Sequence, residues 1–121
     1  HSFRRVLFRS TMAVVAEAIA LARKSGVDPM KVRAALLGGF AQSRVLDVHG
    51  ERMITANFVP GFKTKLFNKD LGIALDTLAE AGVPAPTSAV VQQLVQAQMA
   101  AGGADDDYSA IASVIFALAR L

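Results

Sequence analysis

The residues best suited to chemistry lie in "PGFKTKLFNKDL", residues 60–71. Lys63, Lys65 and Lys69 follow a Pro-Gly turn and run into an apolar segment at helical spacing. Ammonium groups placed there could meet a phosphate or carboxylate, and Phe62 and Phe67 could supply an apolar wall. Spacing alone equally describes a solvated basic face. His49 is the second possible participant, because an imidazole titrates near neutrality. No partner stands at a useful spacing, so a packed or hydrogen-bonded helix residue is the competing description. "DDD" at 105–107 could bind a hard cation. One local acidic run rarely supplies the six or more oxygens calcium requires, which favours capping of the helix that follows at Tyr108. Gly38-Gly39 could bring backbone close to a ligand or simply stop a helix.

Several classes of chemistry are excluded or weakened. The chain has no cysteine, which removes thiolate metal sites, disulfides and cysteine nucleophiles. His1 and His49 are its two histidines, too few for a multi-histidine metal centre. Neither GxGxxG nor GxxxxGK[ST] occurs, so the chain carries no nucleotide fold of its own. No apolar run reaches the roughly 20 residues that span a bilayer. A cysteine-free chain of this kind fits the cytoplasm.

The elements that must position these residues are helical. The 121 residues allow one domain, and the 53% hydrophobic, 7% aromatic composition points to an aliphatic core. Val14, Val15, Ala18, Ile19, Leu21 and Ala22 share one broad face of a helix over 11–25, stopped by Gly26. Asp28-Pro29 signals the next helix start, with Val32, Ala35 and Leu36 as its stripe and Gly38-Gly39 as its stop. Ser43 caps a third helix to about 55. The spacing predicts a fourth over about 69–81, with Asp70 in its first turn, favourable to the helix dipole. Thr87 or Ser88 caps a fifth, ended by Gly102-Gly103. The last carries Ile111, Val114, Ile115 and Leu118. No strand-length alternation separates these segments. The expected fold class is all-α, a single bundle of about six helices.

Taken together, "AEAIALARKSGVD", "LLGGFAQSRVLDVHGERM", "FVPGFKTKLFNKDLGIAL" and "DYSA" resemble the C-terminal helical domain of the β-hydroxyacid dehydrogenases, over roughly Thr11 to Ala117. The resemblance implies one part of a two-domain enzyme that moves a hydride between NAD or NADP and a small hydroxyacid or its semialdehyde. An N-terminal domain binds most of the cofactor. The helical domain closes the cleft and supports dimerisation. Matching the family motifs assigns Phe62, Lys69 and Asp70 to cofactor binding. Lys69 would place a positive charge near the cofactor or an anionic substrate. Asp70 would orient that lysine or cap its helix, and Phe62 would help exclude water. Ser43 and His49 also match the family. The family's catalytic lysine, in a Lys-x-x-Asn pattern, falls at position 1, where this chain has His1, with Arg4 in place of the asparagine. No catalytic residue is therefore assigned, and the chain alone is expected to be inactive.

Residues 1–10, "HSFRRVLFRS", stand apart. Arg4, Arg5 and Arg9 account for the whole net charge of +3, leaving the body from Thr11 onward neutral. A nucleic-acid reading would rest on this arm alone. The arm is also Arg-rich and acid-free like a targeting presequence, yet it lies where the resemblance requires the lysine-bearing helix. Phe3–Ser10 is the translation of the DNA string TTCAGACGTGTGCTCTTCCGATCT, which looks like a common sequencing adapter. We therefore expect residues 1–10 to be non-native, and 11–121 to form the helical dehydrogenase domain. The alternative is a stand-alone, non-catalytic helical binding or dimerisation module.

Overall fold

The computed structural model describes residues 2–121, and among them six α-helices and no strand. They are α1 (Ser2–Lys24), α2 (Pro29–Leu37), α3 (Arg44–Thr55), α4 (Thr64–Glu80), α5 (Pro86–Gln98) and α6 (Ile111–Leu118). A wide turn over Met99–Gly103 and a tight helical turn over Tyr108–Ala110 connect the last two. The expected all-α bundle is what the chain forms.

The bundle is built around α1, which touches each of the other five helices. Its buried row is Met12, Ala13, Val15, Ala16, Ile19, Ala20 and Ala22. Small residues on that row let neighbouring helices approach closely. Leu46 and Met53 of α3, Phe67 and Leu71 of α4, Val91 and Val95 of α5, and Ile111 and Ile115 of α6 close the core. Val14 and Leu21, expected on the buried face, are exposed instead. The true face is rotated toward Ala13, Ala16 and Ala20, whose short side chains carry little hydropathic signal.

Two helix starts match the sequence reading. Asp28 accepts from the Met30 N–H at 2.9 Å with Pro29 at the first helical position. Ser43 accepts from the Leu46 N–H at 2.9 Å. Within α2, Val32 and Leu36 are half-buried, whereas Ala35 is exposed.

Three helix starts differ. α1 begins at Ser2, because Arg5 and Arg9 extend the row of Met12 and Ala16 one and two turns upstream. α4 begins at Thr64, five residues before the expected start. Its first free donors are met by distant backbone: Thr64 N–H donates to the Asp106 carbonyl at 2.9 Å, and Lys65 N–H to that of Ala104 at 3.0 Å. Asp70 therefore lies in the helix interior and cannot serve its first turn. α5 starts at Pro86 without a side-chain cap, so neither Thr87 nor Ser88 has that role, and Ser88 is buried. On α6, Ile111 and Ile115 face the core while Leu118 is exposed.

Candidate functional site

The loop that carries Phe62 is fixed by one buried carboxylate. Asp107 is fully buried and caps the turn at Tyr108–Ala110. Its Oδ1 accepts from the N–H groups of Gly61 at 3.0 Å and Phe62 at 3.1 Å, and pairs with Arg52 Nη1 at 3.2 Å. Its Oδ2 accepts from the N–H of Ser109 at 2.9 Å and from the Ser109 hydroxyl. Burial alone would raise the carboxyl pKa. Hydrogen bonds from Ser109, Phe62 and Gly61 more than offset it, and the pKa lies below its usual value. Arg52 also donates to the carbonyls of Asn57 and Val59, pinning the loop from its other side. "DDD" is therefore a cap and an anchor, and among the described residues no group of three or more His, Cys, Asp or Glu could hold a metal.

This anchoring sets Phe62 beside Tyr108, whose N–H donates to the Phe62 carbonyl at 2.8 Å. Phe8, Phe62 and Phe67 surround the Tyr108 ring with centroids 5.3–5.4 Å away. Between α1, the Phe62 loop and α4 lies a cleft of about 300 Å³, lined by Arg4, Arg5, Phe8, Arg9, Phe62, Asp70 and Tyr108. Arg9 is buried, with its guanidinium carbon 4.6 Å from the Phe67 ring centroid. Burial lowers its pKa, against the opposing pull of Asp70. Asp70 pairs with Arg9 at 3.4 Å and more distantly with Arg5 at 3.9 Å.

At the back of this cluster, Tyr108 Oη lies 3.1 Å from His49 Nε2. The two rings meet edge to face at 5.0 Å, and Phe8 packs edge-on against the imidazole at 5.7 Å. His49 Nδ1 is buried without a hydrogen-bond partner. Burial holds the His49 pKa below its ordinary value, and burial with the Asp107 charge pushes that of Tyr108 up. At neutral pH both groups are therefore uncharged. Of the two descriptions of His49, the packed, hydrogen-bonded residue is the one the fold forms.

The structure sorts the residues expected from sequence. Phe62 and Asp70 line one cleft. Lys69 is exposed and outside that lining, and Asp70 turns to Arg9 and Arg5 rather than to Lys69. Lys63 and Lys65 both pair with Asp105, at 3.6 and 2.9 Å. The three-lysine cluster thus reduces to Lys69. Ser43 caps α3. Sequence reasoning gave no role to Tyr108 or to Asp107 as an anchor of the cleft. The available signal was that Tyr108 is the single tyrosine of the chain and sits in "DYSA".

The chain is an all-helical domain with an aromatic cleft and a carboxylate at its edge, and comparison with known proteins makes its class specific. Residues 4–115 match the family described as NAD-binding of NADP-dependent 3-hydroxyisobutyrate dehydrogenase. The chain is 42% identical over 116 residues to 2-hydroxy-3-oxopropionate reductase of Escherichia coli, covering 96% of this chain and 40% of that protein. It is 35% identical to a probable mitochondrial 3-hydroxyisobutyrate dehydrogenase-like protein of Arabidopsis thaliana, covering 97% of this chain and 34% of that one. Among solved structures, the Mycobacterium tuberculosis 3-hydroxyisobutyrate dehydrogenase with L-serine superposes with a TM-score of 0.81 at 28% identity, covering 94% of this chain and 41% of that one. The Salmonella typhimurium enzyme shares the fold with a TM-score of 0.88 at 22% identity, over 93% of this chain and 40% of its own. The chain belongs to the 3-hydroxyisobutyrate dehydrogenase family. It spans about two fifths of the length of these relatives. No helix among the described residues is long and apolar enough to cross a membrane.

Proposed function

We propose that this chain is the C-terminal part of an NAD(P)-dependent hydroxyacid dehydrogenase, similar in substrate class to 2-hydroxy-3-oxopropionate reductase. In that role it closes the cofactor and substrate cleft and supports dimerisation in the cytoplasm. The observation that carries this reading is the convergence of Phe62, Asp70 and Tyr108 on one cleft in a chain 42% identical to that reductase.

The residues present fit a dinucleotide. Phe62 and Tyr108 form an aromatic wall, and Lys69 stands exposed one residue from Asp70. NAD or NADP, when bound, supplies or accepts the hydride. Lys69 would meet an anionic portion of it, and Phe62 would keep water from the cleft. Asp70 would fix a neighbouring cation, as it fixes Arg9 here.

His1 and Arg4 stand where the family motif has lysine and asparagine, so the chain lacks the family's general acid-base group. Residues 1–10 are, on this reading, adapter-derived, and α1 extends back to Ser2 because the segment continues a helix already nucleated from Thr11 onward. Source DNA reads that cross the junction without adapter would refute that origin. The purified chain is expected to give no turnover of a small hydroxyacid with NAD⁺ or NADP⁺. Measured turnover would overturn the reading of an incomplete site.

A further inference from the structure

Arg52 closes α3 with its backbone and then holds the loop that follows with its side chain. Its carbonyl accepts from the Asn57 N–H at 2.9 Å, across the left-handed turn at Ala56 (φ +54°) that folds the chain back over the helix end. Nε donates to the Asn57 carbonyl at 3.0 Å, Nη2 donates to that of Val59, and Nη1 pairs with Asp107 Oδ1 at 3.2 Å. All three nitrogens of one planar group are therefore committed to one loop and its anchor. Asp107 takes the same loop by its donors, the N–H groups of Gly61 and Phe62. The ion pair thus grips residues 57–62 by carbonyls at one end and by N–H groups at the other. A Cβ at Gly61 would stand 3.5 Å from Arg52 Nη1 and 3.6 Å from Asp107 Oδ1, so the backbone lies directly on the pair.

We propose that Arg52 is a positioning residue for Phe62: its planar fork sets where the 57–62 loop presents that ring to the cofactor. The role of Phe62 rests on the dehydrogenase reading above; the hold of Arg52 on the loop does not. Its contacts separate this role from a general contribution to stability. Without the guanidinium, Asp107 still accepts from the N–H groups of Gly61, Phe62 and Ser109 and from the Ser109 hydroxyl. The buried carboxylate stays hydrogen-bonded, so the bundle tolerates the loss. What the loss frees is the first half of the loop, at the carbonyls of Asn57 and Val59. Phe62 packs edge-on against Tyr108 with ring centroids 5.4 Å apart, so a loop that shifts uncovers the Tyr108 ring. A lysine keeps a charge opposite Asp107 but offers one nitrogen, and it cannot meet two carbonyls and a carboxylate in the directions of the fork. Arg52, Phe62, Asp107 and Tyr108 all lie outside residues 1–10.

Tyr108 is the single tyrosine of a chain without tryptophan, so intrinsic emission reports this one ring. In the 121-residue chain, Arg52→Lys should leave circular dichroism and the hydrogen exchange of the core amides of Leu71 and Val95 unchanged. The Gly61 and Phe62 amides should exchange about tenfold faster, as loss of a hydrogen bond from a charged group dictates, and acrylamide should quench Tyr108 more strongly. Wild-type exchange at Gly61 and Phe62, wild-type quenching, or equal acceleration at the core amides overturns the proposal. The functional half is read in residues 11–121 joined to the preceding portion of the E. coli 2-hydroxy-3-oxopropionate reductase. Arg52→Lys should raise KM for NADH or NADPH about tenfold, with kcat within about twofold. Phe62→Ala should raise KM at least as far, and the double variant should be no worse than Phe62→Ala alone. Additive losses, or an unchanged KM, show that Arg52 does not act through Phe62 and overturn the positioning role. An inactive chimera with Arg52 in place refutes the dehydrogenase reading instead, while the exchange rates still decide whether Arg52 holds the loop.

Discussion

Asp107 shows how a single residue fixes a site it does not enter. Its carboxylate gathers the N–H groups of Gly61, Phe62 and Ser109 and the Arg52 guanidinium, so the Phe62 loop and Tyr108 are placed by the same group. Removing one partner of a buried ion pair leaves the other uncompensated, at about 3–5 kcal/mol. Asp107→Ala should lose that much in urea denaturation. The same bonds carry a pH dependence. Because the folded pKa of Asp107 is depressed, its contribution is present above the unfolded value of about 3.9 and is lost as pH falls through the folded value. His49 acts in a higher window. The unfolded chain binds its proton below about 6.5 and the folded chain resists it, so stability should decline as pH falls from 6.5. Denaturation midpoints between pH 7 and 3 should show both declines in the wild type, with the lower one reduced in Asp107→Ala, since Asp105, paired with Lys65 and Lys63, also has a lowered pKa. At this scale the motif residues were legible only as types. Lys63 and Lys65 read as free cations, but their partner Asp105 lies forty residues on.

Elements were legible where their ends are local. Asp28-Pro29 and Ser43 announce α2 and α3 because a cap and its donor sit within three residues. The start of α4 was hidden because its donors are satisfied by the backbone of residues 104 and 106. The α5 end illustrates both cases. Gly102 has φ +93°, the left-handed region that a glycine stop predicts. Gly103 is required for a different reason: a Cβ there would run into the side chain of buried Gln98. Gly103→Ala should therefore destabilise by about 1–3 kcal/mol through overpacking, and Gly102→Ala by about 1 kcal/mol through backbone strain. Thermal melts of the two variants check this. Equal stability of Gly103→Ala and wild type would show that Gln98 moves aside freely.

For the whole molecule, the helical fold class follows directly from periodicity and from the lack of alternating segments. The cleft does not, because it forms between α1, the Phe62 loop and α4, far apart in sequence. Resemblance to relatives brought Phe62 and Asp70 forward, and only packing joined them to Tyr108. Residues 1–10 bear on the molecule through Phe8 and Arg9, which pack on Tyr108 and Phe67. The core from Met12 onward is nevertheless continuous without them. A chain of residues 11–121 should unfold cooperatively at a lower midpoint than the full chain, with helix content reduced by the missing turns of α1. Non-cooperative melting would show that the arm is part of the folding unit. The central proposal, that residues 11–121 are the cleft-closing C-terminal part of a hydroxyacid dehydrogenase, is tested by joining them to the preceding portion of the E. coli 2-hydroxy-3-oxopropionate reductase. The measurement is reduction of 2-hydroxy-3-oxopropionate with NADH or NADPH. Activity in the folded chimera, abolished by Asp70→Ala, is the predicted result; a folded chimera with no activity would contradict the account.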